Sequence, residues 1–196
     1  MASARIISAN GLMLLDPNDG SGARWPIADN DPGRASFGVF IPNVTPAATP
    51  TDILMIQGSA SKTIRVRSII ITGTATVASN VQVIINRRAT ANTGGTSVAQ
   101  TVVNRDRNDD PVTATVSVYS VNPTALGTSA GVADGGRLNL APAANGSIDR
   151  LLLQYGWFND KAPVLRGVND FLCVGLGGAA LPAGGSFDFN VVFSEE

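Results

Sequence analysis

Ser186-Phe187-Asp188-Phe189-Asn190-Val191-Val192-Phe193-Ser194 is the stretch from which the rest of the chain is read. Phe187, Phe189, Val191 and Phe193 alternate with Ser186, Asp188, Asn190 and Ser194, and an extended strand is what puts every second side chain on one face. Val112, Ala114, Val116 and Val118 alternate in the same way with Thr113, Thr115, Ser117 and Tyr119. Leu151, Leu153, Tyr155 and Trp157 oppose Arg150, Leu152, Gln154 and Gly156, and Val81, Val83 and Ile85 alternate with Asn80 and Gln82. Thr63-Ile64-Arg65-Val66-Arg67 alternates, then turns solidly apolar at Ile69-Ile70-Ile71. Such a loss of alternation points to a bulge or to burial on both faces.

Strands are expected over 53–57, 63–72, 81–87, 112–121, 137–140, 148–157, 164–168, 171–176 and 187–193. Turn clusters such as Thr93-Gly94-Gly95-Thr96, Asp134-Gly135-Gly136 and Ala183-Gly184-Gly185 separate them. No window carries a helical stripe, and with two Lys and two Glu in 196 residues strong helix formers are scarce. The sequence therefore predicts an all-β protein, an antiparallel β-sandwich of jelly-roll type over 52–196. An extended N-terminal arm is expected over 1–51. Six of the eleven prolines lie between Asp16 and Thr51, and proline fixes φ and offers no ladder donor. The same stretch holds Trp25, Phe37 and Phe40, which are costly to leave in water, so the arm is expected to lie on a partner or on its own domain.

Composition removes several chemistries. There is no histidine, which excludes Ser-His-Asp and Cys-His machinery and histidine metal sites. One cysteine, Cys173, allows neither an intrachain disulfide nor a thiolate zinc site. The net charge of −1 gives no global field for nucleic acid or a membrane surface. No apolar run approaches the ~20 residues of a membrane helix, and no signal-like stretch is seen near the N-terminus. A soluble protein made in a cytoplasm is expected.

The motifs are weak. Asp106-Arg107-Asn108-Asp109-Asp110 opens like a calcium loop, but Pro111 and Ser117 replace its glycine and its bidentate glutamate. Gly175-Leu176-Gly177-Gly178 leads into no helix that could bind an anion. A carboxylate pair could run a glycosidase without histidine, yet most of the thirteen Asp sit in turn sequences. No catalytic residue, cofactor or metal ligand is assigned. Trp25 and Trp157 could stack a sugar ring, and Trp157 and Tyr119 are the residues on which a sugar-binding role would be tested.

Twelve Arg to two Lys is the informative ratio, because the guanidinium fork suits ordered carboxylate pairs and protein interfaces. Arg65, Arg67, Arg87, Arg88, Arg105 and Arg107 fall in or beside strands, and together with Trp25, Phe37 and Phe40 they form the expected interface.

Arg87-Arg88-Ala89-Thr90-Ala91-Asn92-Thr93-Gly94-Gly95-Thr96-Ser97, Val118-Tyr119-Ser120-Val121-Asn122-Pro123-Thr124-Ala125-Leu126-Gly127, Pro163-Val164-Leu165-Arg166-Gly167 and Phe193-Ser194-Glu195-Glu196 resemble strings of small structural proteins of tailed bacteriophages. The resemblance covers about residues 62–196 and not the arm. It implies a jelly-roll virion component without an active site, commonly a homo-oligomer with a trimer favoured. The resemblance leaves the place open between the capsid surface and the tail; the expected role is that of a decoration or cement protein bound to the major capsid protein or other virion proteins. The alternative is a carbohydrate- or receptor-binding module on a tail or head fibre.

Overall fold

A computed structural model describes residues 34–146, 148–156 and 161–196, together with the backbone of 7–8 and 11–12. The chain divides into two units, Met1–Arg34 and Ala35–Glu196. In the first, β1 (Ile7–Ser8) pairs antiparallel with β2 (Gly11–Leu12). The remaining elements belong to the second unit. They are β3 (Ala35–Val44), β4 (Asp52–Gln57), β5 (Thr63–Thr74), β6 (Ser79–Arg88), β7 (Thr96–Ala99), β8 (Val103–Asn104), β9 (Thr115–Val121), β10 (Ser129–Leu140), a 3-10 turn (Ala143–Asn145), β11 (Arg150–Gln154), β12 (Val164–Arg166), β13 (Phe171–Gly175) and β14 (Ser186–Glu195).

Two antiparallel sheets pack face to face as a β-sandwich. The front sheet has the order β11-β5-β14-β3-β8, with β12 also on β5; the back sheet runs β10-β6-β13-β4-β9-β7. Period two does the sorting. Ile64, Val66, Phe187, Phe189, Val191 and Phe193 from the front meet Leu54, Ile56, Val83, Ile85, Leu172 and Val174 from the back in one buried cluster. Phe37 stacks on Phe193 with ring centroids 5.4 Å apart. Of the bulge and the two-faced burial expected where β5 loses its alternation, the bulge is present: Val192 pairs with Ser68 and Phe193 with Val66, so Arg67 is the extra residue.

The expected boundary at residue 51 is not where the sandwich unit begins. Residues 35–51, expected in the arm, lie in the sandwich unit, and β3 pairs with β14 from Ala35 to Val44. Proline did not forbid this strand because Pro42 falls in the register shift opposite Phe187 and Phe189, where no ladder donor is required. β8 reaches β3 only at Phe37 and Gly38. Residues 112–114 lie outside a strand, and β7 and β8 were not foreseen.

Candidate interaction surface

The outer face of the front sheet is built by the residues that alternate with its core. Leu152 pairs with Ile70, Ile70 with Asn190, and Asn190 with Phe40. In the next row Gln154 pairs with Ser68, Ser68 with Val192, Val192 with Gly38, and Gly38 with Val103. Leu152, Ile70, Phe40, Val192 and Val103 therefore share one face. Phe40 is 64% exposed, Val103 62% and Leu152 42%, values that a β-sandwich burying its other phenylalanines in strands would not leave by default. Arg105 lies over Gly38, where a β-carbon would come 3.5 Å from a terminal guanidinium nitrogen. At one margin Asp188 accepts from Thr72 Oγ1 and from the Asn43 N–H, the latter at 2.7 Å. At the other stand Arg65 and Arg67; Arg67 Nε donates to Ser194 Oγ at 3.2 Å.

Next to Arg65 opens a cleft of about 640 Å³ lined by Arg65, Arg87, Lys161, Pro163, Arg166 and Asp170, among others. Arg65 pairs with Glu196. Arg87 holds Asp170 in a two-pronged pair, Nε to Oδ1 at 3.1 Å and Nη2 to Oδ2 at 2.6 Å, and Nη2 also donates to the Val164 carbonyl at 2.6 Å.

Arg88 goes the other way. A bulge at Ile53 between β4 and β13 lets Ile53 and Leu54 both face the core and turns Asp52 outward. There Arg88 Nε and Nη2 donate to Asp52 at 2.6 and 2.9 Å, and Arg88 Nη1 donates to the Gly127 carbonyl at 2.8 Å. Asn92 Nδ2 donates to Asp52 at 2.8 Å while its Oδ1 accepts from the Gly127 N–H. The pair is 6% and 5% exposed and ties segments 89–95 and 122–128 to the back sheet. The hydrogen bond to Asp52, against the cost of burial, raises the Arg88 pKa.

The expected interface thus splits. Phe37 is fully buried and Arg88 is buried and satisfied within the chain, so neither offers surface to a partner. The pleat explains both: Phe37 falls on the core side of β3, and Arg88 is covered by the segments it anchors. Phe40, Arg105 and Arg107 are exposed; Arg65, Arg67 and Arg87 are partly so. Trp25 lies outside the described residues, as does Trp157. Tyr119 is buried, with its hydroxyl 3.9 Å from the Met55 sulfur, and is not a sugar-stacking platform.

The 106–110 loop closes on itself. Asp106 Oδ1 accepts from the Asn108 N–H at 2.9 Å, and Asp110 pairs with Lys62 at 3.2 Å. Among the described residues no group of three His, Cys, Asp or Glu is placed to hold a metal ion, and no helix is long and apolar enough to cross a membrane. Among the described residues, Asp52 lines the cleft beside Arg88 and Asp170 the cleft beside Arg65, each carboxylate already paired to arginine. No protein-family model, curated protein or solved structure matches the chain.

Proposed function

We propose that this chain is a non-enzymatic virion structural protein of a tailed bacteriophage, a capsid decoration protein that binds the shell as a homo-oligomer. One observation carries the reading: the apolar row on the outer face of the front sheet, in which Phe40, Val103 and Leu152 are exposed and Ile70 and Val192 half-buried, bordered by Arg65, Arg67 and Arg105. Covering Phe40 alone contributes about 1.5–3 kcal/mol before ordering costs, and cyclic symmetry lets one patch serve every subunit. The strand order supports a jelly roll. Chain order crosses between sheets at β3→β4, β4→β5, β5→β6, β7→β8, β8→β9, β10→β11, β12→β13 and β13→β14, with β3-β14-β5 central in one sheet and β4-β13-β6 in the other.

The test is sedimentation of the full chain, and of Phe40→Asp, with purified heads depleted of the protein. The wild type pellets with the heads, and Phe40→Asp, whose side chain is exposed, melts normally but loses binding about ten- to a hundredfold. A wild type that stays in the supernatant, or a variant that pellets equally, overturns the reading.

A further inference from the structure

We propose that the cleft lined by Arg65, Arg87, Lys161 and Arg166 is a binding site for a carboxylate-rich segment of a partner protein. The class of partner rests on the assembly reading above; the site rests on its own geometry. Among the described residues four cationic side chains line the cleft, against the carboxylates of Asp170 and of Glu196 on Arg65. Asp170 has no capacity to neutralise the rest, because Arg87 takes both its oxygens and the Arg166 N–H donates to one of them at 3.1 Å. Neither Lys161 nor the Arg166 side chain has a carboxylate partner among the described residues, and both are exposed.

Arg87 is set in place before any ligand arrives. Asp170 and the Val164 carbonyl occupy Nε and Nη2. Of the five N–H groups of a guanidinium, the two on Nη1 are left without an acceptor among the described residues. A guanidinium already fixed in its plane loses little freedom when it takes a second carboxylate.

The shape selects the class of anion. About 640 Å³ admits a few side chains, and Ala162, Pro163 and Val164 give one apolar wall suited to peptide. Asp170 and Glu196 interrupt the positive surface, which opposes a continuous phosphate track but leaves room between them for separate carboxylates. Arg65 joins the cleft to the exposed apolar row, so one partner could cover both.

The experiment titrates the full chain with a fluorescently labelled oligoglutamate peptide, using oligoglutamine and a single-stranded oligonucleotide as comparison probes. Oligoglutamate binds saturably and more weakly as salt rises, and Lys161→Glu and Arg166→Glu each weaken it about tenfold. Arg150→Glu, paired with Thr72 on another part of the front sheet, leaves it unchanged. All three side chains are exposed, and thermal melts check that each variant folds. Absence of saturable binding, equal weakening by Arg150→Glu, or tighter binding of the oligonucleotide overturns the proposal. Head binding is read separately by sedimentation, so failure of the cleft and failure of the assembly reading give different results.

Discussion

Arg87 and Arg88 are adjacent in the sequence and opposite in fate. The β6 pleat carries one to an open cleft and the other beneath the segments anchored by Asn92 and Gly127. Their equality in the sequence reading had no remedy, since the partners, Asp170 and Asp52, lie 83 and 36 residues away. Breaking a buried pair strands the surviving charge, so Arg88→Ala costs about 3–5 kcal/mol, whereas Arg88→Met with Asp52→Leu recovers most of that loss. Urea denaturation of the two singles and the double measures it; an Arg88→Ala protein as stable as wild type contradicts the assignment. Cys173 gives a pH prediction. Burial first, and then the Asp52 charge, push its thiol far above the ordinary value of 9.0. The folded state therefore holds that proton more tightly than the unfolded chain, and the resulting stability is full below about pH 9 and declines as pH rises further. Burial acts in the same direction on Tyr119. Melting temperatures across that range fall with pH, and Cys173→Ala flattens the part of the fall that the thiol causes.

At the level of elements, alternation located the strands that bury one face, and β14, β5 and β6 were legible for that reason, while β13, buried on both faces, showed only as a short unbroken apolar run. β3 was not, because Pro42 and its flanking turn residues hide a strand whose proline sits in a register shift. β7 could not be found by pattern: all four of its residues are exposed, so it has no buried face to leave a period. Exposure and position set its dynamics. β13 is buried throughout and lies between β4 and β6, while β7, among the described residues, is an edge strand paired with β9 alone. Amide hydrogen exchange is therefore slowest in β13 and β14 and fastest in β7 and β8. Equal protection of β7 and β13 would require a partner on the β7 edge.

For the molecule as a whole, the fold class was open to the sequence because composition and period two agree, whereas the unit boundary was not. The chain enters the sandwich at Ala35, and Phe37 then fills its core against Phe193. Removing residues 1–34 consequently leaves a cooperatively folding sandwich, and removing 1–50 strips β3 and abolishes cooperative unfolding; circular dichroism during urea titration separates the two. The apolar row was half visible: Phe40 stood out as an aromatic, but its alignment with Ile70 and Leu152 depends on strands far apart in sequence. That row is the basis for an assembly role, and absolute quantification by mass spectrometry of virions from the lysate that produces the protein tests the role most directly. A decoration protein is present at a copy number comparable to that of the shell subunit; its absence from washed particles, with all of it recovered free in the lysate, would contradict the account.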